Sequence, residues 1–140
     1  MAYLPEDLPG PQIDDINAGF WEACNQRRLC FQTCTACGQR THPPLPACPH
    51  CQSQRFDWTD APARGRVFSL VWVWHAAHPS LRGIPLPYNV VVVEFADAPG
   101  VRLVSNVVDA REGGLHIGDA VELAWEQSGG QWLPRFRLAG

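Results

Sequence analysis

The chain contains 140 residues, and its 11 basic and 14 acidic residues give a formal net charge of −3 at pH 7. All 11 basic residues are arginine, so this chain cannot by itself carry Schiff-base or pyridoxal-phosphate chemistry, and it lacks the lysine of a phosphate-binding P-loop. It has no stretch of about 18 apolar residues, and its beginning lacks a basic, apolar signal segment; we therefore predict a cytoplasmic protein that spans no membrane.

Residues 1–28 are predicted to form a leader and one helix. The three prolines of residues 1–12 favour an extended leader that lies on the surface or on a partner. Asp14 or Asp15 is a candidate N-cap for a short amphipathic helix, although Gly19 lowers its helix propensity. The apolar residues at helical spacing are Ile13, Ile16, Phe20, Trp21 and Cys24. We interpret the last of these, a cysteine, as a buried small apolar residue rather than a nucleophile.

Two cysteine pairs within residues 29–60 predict a zinc ribbon. Cys34-Thr35-Ala36-Cys37 and Cys48-Pro49-His50-Cys51 each leave two residues between the cysteines, so that one tight turn directs both sulfurs toward one ion. Four thiolates fill a tetrahedral site and leave no position for a metal-bound water, so we predict one structural zinc ion. Strands are expected at 29–33 and 55–58, and so small a module depends chiefly on its metal for stability.

Other uses of the cysteines fit the sequence less well. Disulfides suit secreted proteins, and a thioredoxin-type motif uses a single reactive pair. Iron in a rubredoxin-like electron carrier is chemically open, since iron takes the same four thiolates, and it would colour the protein red. His42 and His50 are interpreted as exposed loop residues rather than ligands, and Cys30 as a packing residue.

Residues 61–140 are predicted to form a five-stranded barrel. Val, Phe and Trp are frequent in segments that breakers separate, namely 66–74, 88–95, 101–108, 120–126 and 132–138. The apolar run Val90 to Val93 predicts a strand covered on both faces. This number of strands favours a small oligonucleotide/oligosaccharide-binding (OB) barrel over a sandwich, which usually has about seven. The predicted fold class is therefore mainly β, with an N-terminal helix and a rubredoxin-like zinc ribbon followed by a five-stranded OB-fold barrel.

Several short motifs follow one another in a specific order. They are Phe20-Trp21, Cys34-x-x-Cys37-Gly38, Pro43-Pro44, Cys48-Pro49-x-Cys51, Gly65-Arg66-Val67-Phe68-Ser69, Pro87-Tyr88-Asn89-Val90, Ile117-Gly118-Asp119-Ala120-Val121 and Leu133-Pro134-Arg135-Phe136. This order resembles the acyl-CoA-associated zinc-ribbon and OB-fold family, known as domain of unknown function 35, over residues 20–136. Gln52 departs from the pattern, because many relatives carry glycine after the last cysteine. The departure concerns the geometry of the second turn and not the ligands.

The resemblance implies a non-catalytic partner of a thiolase-superfamily enzyme. In such hetero-oligomers the barrel lies beside a thiolase-fold subunit and helps to enclose an acyl-CoA thioester, while the carbon–carbon bond chemistry stays on the partner. Steroid side-chain retro-aldol cleavage is the first expectation, and thiolysis and acyl transfer are the alternatives. The helix residues Phe20 and Trp21 are predicted to contact the partner. The predicted ligand or CoA contacts are Arg64, His78 and Arg82, for which a solvated arginine or loop histidine is the competing interpretation.

The sequence alone predicts no catalytic residue. No spacing indicates a Ser-His-Asp triad, a carboxylate pair or a Cys-His dyad, and the histidines with a suitable pKa range, His75, His78 and His116, are interpreted as loop residues. A rival function of another class is binding of single-stranded nucleic acid, in which barrel aromatics stack on bases. The candidates are Phe68, Trp72, Trp74 and Tyr88. The neutral, lysine-free barrel disfavours this alternative.

Overall fold

A computed structural model describes residues 3–140 of the chain, which form two antiparallel sheets. The first sheet is the ribbon. The ribbon strands are β1 (Cys30–Cys34), β2 (Arg40–Thr41) and β3 (Phe56–Asp60), in the order β2-β1-β3. β1 pairs with β3 over its whole length, from Cys30 opposite Asp60 to Cys34 opposite Phe56. The first cysteine turn therefore begins at the end of the central strand.

The second sheet is a nearly closed barrel, as predicted. Its strands are β4 (Arg64–Val73), β5 (Tyr88–Glu94), β6 (Arg102–Ser105), β7 (Ala120–Ser128) and β8 (Gln131–Leu138), in the order β6-β5-β4-β7-β8. All neighbouring strands are antiparallel. A parallel bridge between Val107 and Phe136 brings the two edge strands together. The predicted fold class is confirmed.

β6 is shorter than predicted, because the chain leaves β5 after Ser105. The backbone N–H of Phe136 donates to the carbonyl of Asn106 at 3.0 Å, and the N–H of Val108 donates to the carbonyl of Phe136 at 2.8 Å. Residues 106–108 therefore close the barrel against β8 instead of extending the pairing with β5.

β5 does not have the two covered faces that its apolar run predicts. Val91 and Val93 are fully buried, whereas Val90 and Val92 are half-buried on the outer face. Successive strand residues point to opposite faces, and the barrel packs only its interior. The prediction is therefore wrong for the outer face.

The helix α1 (Ala18–Asn25) begins later than predicted. The Asp14 carboxylate accepts hydrogen bonds from two following backbone N–H groups at 2.9 and 2.8 Å, and so holds the turn before the helix. Ile13 and Ile16 precede the first helical residue and are 55% and 39% exposed, so their predicted place on a buried stripe is wrong. Within residues 3–140, no helix has both the length and the apolar character that crossing a membrane requires.

One hydrophobic core joins the helix, the ribbon and the barrel. Phe20 and Cys24 of α1 are both buried, and the burial of Cys24 was predicted. The ring centroid of Phe31 on β1 lies 5.3 Å from that of Phe95, which lies 6.3 Å from that of Phe136 on β8. The ribbon is therefore supported by this shared core and not only by the metal that its cysteines predict.

The helix also packs directly on the last strand. The side-chain oxygen of Asn25 accepts a hydrogen bond from the backbone N–H of Trp132 at 3.1 Å. The side-chain amide of Gln131 donates to the carbonyl of Trp21 at 3.3 Å, and the Arg27 guanidinium lies 4.8 Å from the centre of the Trp132 ring. The first helix and the last strand are thus neighbours.

The described part of the leader lies along the barrel. The backbone N–H of Tyr3 donates to Glu126 Oε1 at 2.6 Å, and the Tyr3 hydroxyl accepts from the backbone N–H and side-chain amide of Asn89 at 2.9 and 2.8 Å. Farther along, the Ser80 hydroxyl donates to the carbonyl of Asp7 at 3.1 Å. Residues 1 and 2 of the predicted leader lie outside the described residues.

Gly19 has a packing role in the helix, which its low helix propensity does not indicate. A β-carbon at this position would overlap the indole ring of Trp58. We therefore expect Gly19→Ala to lower the free energy of unfolding by about 1–3 kcal/mol, as overpacking does, although alanine is the better helix former. Urea unfolding tests this, with Gly10→Ala as the control because nothing lies within 4 Å of its added carbon. A Gly19→Ala protein as stable as the wild type would contradict this contact.

Candidate zinc centre and ligand cavities

The four predicted ligand cysteines lie together at one end of the ribbon. Their sulfur atoms all lie within 4.8 Å of one another. The sulfurs of Cys34 and Cys51 are 3.5 Å apart, and those of Cys37 and Cys48 are 3.6 Å apart. A tetrahedral zinc ion with Zn–S bonds of about 2.3 Å separates its sulfur ligands by about 3.8 Å. The four thiolates therefore fit one closed tetrahedral ion.

The two cysteine turns have the same backbone geometry. The N–H of Gly38 donates to the carbonyl of Cys34 at 2.9 Å, and the N–H of Gln52 donates to the carbonyl of Cys48 at 2.8 Å. Gly38 has φ +79° and Gln52 has φ +67°, the left-handed region that favours glycine. Gln52 thus adopts the conformation that a glycine would have there, and the four ligands keep their places.

Backbone N–H groups favour the thiolate forms that bind metal. Those of Cys37 and Ala36 lower the pKa of the Cys34 thiol to about 6. In the second turn, the N–H groups of Cys51 and His50 lower the pKa of the Cys48 thiol in the same way. The turns therefore provide two sulfur ligands whose charge the backbone already stabilises.

His42 and His50 lie outside the thiol cluster. His50 is exposed, as predicted. The His42 ring lies 4.8 Å from the ring of Phe20 and 5.7 Å from that of Phe31, and burial lowers its pKa to about 4. The prediction of an exposed loop residue is wrong for His42, because the loop after β2 folds over the shared core.

His42 is expected to make the protein sensitive to acid. Its pKa is about 4 when folded and near 6.5 when unfolded, so between these values protons bind the unfolded chain preferentially, and stability falls as the pH falls from about 6.5 to about 4. The difference between the two pKa values corresponds to about 3 kcal/mol. Urea unfolding at a series of pH values should show this loss in the wild type and not in His42→Phe. Parallel losses in both proteins would assign the acid sensitivity to other groups, such as the zinc ligands that both share.

A cavity of about 420 Å³ is lined by residues of β6 and β8, by α1 with the turn before it, and by the loop after β2. Apolar residues dominate its wall, and we call five of them the seam patch: Ile16, Trp21, Pro43, Pro44 and Val104. Val104 is 65% exposed. Phe20 was predicted to contact a partner together with Trp21, but its side chain is only 2% exposed and supports the core. Trp21 alone of that pair belongs to the seam patch.

A second cavity, of about 770 Å³, lies beneath the long loop between β4 and β5, and we call it the loop cavity. Aromatic and proline side chains form much of its wall, together with one basic and one acidic residue. Its wall includes Tyr3, Trp72, Gly83, Tyr88, Arg111 and Glu112.

The structure separates the three predicted ligand contacts. Arg82 is exposed on the loop, next to Gly83 of the loop cavity. His78 is on the same loop, and its Nδ1 accepts a hydrogen bond at 3.1 Å from the backbone N–H of Ser80, in the short 3-10 helix Pro79–Leu81. Arg64 begins β4 at the opposite end of that strand, with its guanidinium 3.6 Å from the carboxylate of Glu122. Arg64 and Arg82 are therefore not brought together.

The barrel aromatics considered for base stacking are divided between two faces. Trp72 packs against the core, whereas Phe68 and Trp74 are exposed. The Arg102 guanidinium lies 3.8 Å from the centre of the Phe68 ring and covers it. This arrangement gives no support to the nucleic-acid alternative.

A buried polar network at the closure of the barrel was not predicted. Asn89 has 0% exposure, and its amide donates to the carbonyl of Val107 at 2.8 Å and accepts from the Val107 N–H at 2.7 Å. Next to it, Arg135 donates to the side-chain oxygen of Asn106 at 2.8 Å and to the Glu126 carboxylate at 2.7 Å. The one sequence signal was the asparagine directly before the apolar run of β5.

Comparison with known proteins agrees with this architecture. The model of the ChsH2 rubredoxin-like zinc ribbon domain matches residues 21–57, and that of the ChsH2 C-terminal OB-fold domain matches residues 58–126. The solved structure of the Ltp2-ChsH2(DUF35) aldolase is similar over 94% of this chain and 100% of that chain, with 39% identity and a TM-score of 0.84. The chain belongs to the ChsH2 (DUF35) family. Its four-thiol centre is accordingly a structural zinc site, as predicted.

Two further proteins are similar to this chain, one in fold and one in sequence. A DUF35 protein of unknown function from Sulfolobus solfataricus shares the fold, with 17% identity, a TM-score of 0.63, and coverage of 89% of this chain and 86% of that chain. A protein of Thermomonospora curvata named probable enoyl-CoA hydratase alpha subunit is 40% identical over 132 residues, which are 94% of this chain. The chain spans 40% of the length of that relative.

Proposed function

We propose that this chain is a non-catalytic accessory subunit that binds and completes a thiolase-superfamily enzyme acting on acyl-CoA thioesters. Steroid side-chain retro-aldol cleavage is the first reaction to test, and the cytoplasm is the predicted location. The observation that carries the proposal is the likeness to the Ltp2-ChsH2(DUF35) aldolase, in which the whole matched chain has a counterpart here. The closed zinc centre supports an accessory role, because four thiolates leave no position at which the metal could activate a substrate.

Hydratase activity is not part of this proposal. The relative named probable enoyl-CoA hydratase alpha subunit is longer, and the 140 residues match only 40% of it. The name therefore describes a protein most of which has no counterpart in this chain.

The seam patch is the surface that we propose for the partner. Val104 and Ile16 expose apolar side chains there, Pro43 is also exposed, and Trp21 and Pro44 are half-buried. Apolar surface of this kind is typical of protein interfaces. Trp21 adds an aromatic side chain, the residue type that often dominates interface energies.

Co-purification tests the proposal. The native protein, isolated through an affinity tag, should retain a thiolase-fold subunit. The pair should cleave a β-hydroxyacyl-CoA whose acyl group is a steroid side chain faster than the partner alone does.

A variant of the seam patch tests the proposed surface. Val104→Asp should weaken the complex at least tenfold, because a carboxylate in an apolar interface loses its hydration without gaining a hydrogen-bond partner. Ile117→Asp is the matched control, since Ile117 is 69% exposed and lies outside the seam patch. A partner that is fully active and stable without this chain would refute the accessory role.

A further inference from the structure

The two edge strands of the barrel, β6 and β8, differ in how their facing edges are covered. On β8, the backbone N–H of Trp132 donates to a side chain of α1, and Pro134 has no N–H to be paired. The carbonyl of Pro134 accepts a hydrogen bond from the Ser105 hydroxyl at 2.6 Å, and both backbone groups of Phe136 bond to segment 106–108. The backbone groups at this edge of β8 therefore already have partners within the chain.

The direction of the backbone groups along β6 follows from its pairing with β5. Asn89 directs its carbonyl to the β6 side of β5, where it accepts a hydrogen bond from the Asn106 amide. Backbone groups alternate in direction along a strand, so Val93 directs its N–H and carbonyl to the same side and bonds to its β6 neighbour. The residues on either side of that neighbour, Arg102 and Val104, therefore direct their backbone groups away from β5.

This edge of β6 has no cover of the kind that β8 has. Within residues 3–140, the backbone N–H and carbonyl groups of Arg102 and Val104 have no hydrogen-bond partner. The side chain of Val104 at the same edge is 65% exposed. Proteins usually protect such edges, because unpaired backbone groups are a template for pairing with another chain. The edge of β6 is therefore available to an extended segment.

The surroundings of this edge suit an extended segment that carries an apolar side chain. The cavity of about 420 Å³ is bordered by residues 102–104 of β6 and 133–135 of β8. Trp21, Pro43 and Pro44 line the same cavity, so a side chain that points into it would have apolar neighbours. Three residues of a strand span about 10 Å, and a segment of similar length is therefore sufficient to cover the edge.

We propose that an extended segment of the thiolase-fold subunit adds to the edge of β6 as a further strand, with backbone hydrogen bonds to Arg102 and Val104 and an apolar side chain in the cavity. Strand addition is a common mode of peptide recognition. The edge is continuous with the seam patch, because Val104 belongs to both. A second copy of the chain fits less well, since its own α1 and the loop after β2 border its β6 and would have to enter the same space. The inference rests on the proposed function for the identity of the partner.

Amide hydrogen exchange tests the pairing directly. It is measured on the zinc-loaded full chain, alone and in complex with the co-purified subunit. In the free chain, the N–H groups of Arg102 and Val104 should exchange rapidly, whereas that of Leu103, which pairs with Val93 on β5, should be protected. In the complex, exchange at Arg102 and Val104 should slow by about tenfold or more, and Leu103 should change little. This alternation distinguishes an added strand from general covering of the surface.

Val104→Pro tests the same hydrogen bond by substitution. Proline keeps an apolar side chain but removes the N–H, and the pairing with β5 is retained because this N–H points away from β5. The variant should weaken the complex at least tenfold, since one hydrogen bond is lost and the acceptor on the partner stays unpaired. Val104→Ile keeps the N–H and should bind nearly as tightly as the wild type. Val104→Ala keeps the N–H without the side chain and should weaken the complex less than proline does.

Three outcomes would overturn the inference. In the first, the subunit binds while the Arg102 and Val104 amides stay unprotected, or Val104→Pro binds no more weakly than Val104→Ala; the proposed function would then remain standing. In the second, these amides become protected in the isolated chain as its concentration rises, which would assign the edge to a second copy. In the third, no thiolase-fold subunit co-purifies, which would refute the proposed function together with the inference.

Discussion

A Cys34→Ser variant is expected to lose its zinc and to destabilise the whole fold. A serine hydroxyl is a poor zinc ligand, and the remaining three sulfurs leave the tetrahedral site open. Metal binding contributes about 10–16 kcal/mol to the folding of isolated zinc-finger peptides. We expect zinc to fall from one ion per chain to near zero, and a loss of about 5 kcal/mol or more to lower the melting temperature by about 15 °C. Atomic absorption and thermal unfolding measure the two effects.

Cys24→Ala is the matched control for this experiment. Cys24 is fully buried but is not one of the four clustered thiols, and burial raises its pKa to about 12. The variant should keep one zinc ion per chain and lose only about 1–2 kcal/mol from the smaller side chain. A Cys34→Ser protein that kept its zinc and its melting temperature would refute the structural role of the centre.

An Asn89→Ala variant is expected to lose about 3–5 kcal/mol of unfolding free energy. The substitution removes the bonds of the amide to the N–H and the carbonyl of Val107, both of which are buried, and a bond to the Tyr3 hydroxyl. Each buried group left without a partner costs about 1–3 kcal/mol. Urea unfolding gives the total loss, and hydrogen exchange at the Val107 amide shows whether the barrel opens there.

Ser105→Ala is the control variant, which measures the loss of stability from a single buried hydrogen bond. Its hydroxyl donates one bond, of 2.6 Å, to the carbonyl of Pro134 on the opposite edge strand. The loss of one neutral hydrogen bond should cost about 1 kcal/mol. If Asn89→Ala were no less stable than Ser105→Ala, the asparagine would not be what closes the barrel.

Local patterns predicted the ribbon and the barrel. The metal site was predictable because the spacing of its four cysteines, Cys34, Cys37, Cys48 and Cys51, is set within two short turns. The strands were predictable because the residue pattern of each strand is visible in a single segment. Neighbouring residues were therefore sufficient to predict both. The closure of the barrel between β6 and β8 was not predicted, because it depends on the arrangement of all five strands and not on the pattern of any single strand.

The errors arose where distant contacts decide the outcome. His42 looked like an exposed loop residue, and only the structure shows that its ring is half-buried against Phe20 and Phe31 of the core. Gly19 looked like a weak point of the helix, and the reason for it is an indole ring 39 residues later, that of Trp58. Asn89 gave almost no signal, because its partners are distant in sequence: Tyr3 lies 86 residues before it and Val107 lies 18 residues after it.

The contact between α1 and β8 has a consequence for biosynthesis. On a ribosome the helix and the ribbon emerge before the barrel, but their apolar face is completed by residues 131–138 of its final strand, which are translated later. Phe20 and Phe31 therefore stay uncovered while the barrel is being made, the period in which exposed apolar surface attracts chaperones or aggregates. The cysteine turns can form before the barrel is translated, because all four ligands lie within residues 34–51. Early metal loading would thus give the nascent chain one ordered region before its core can close.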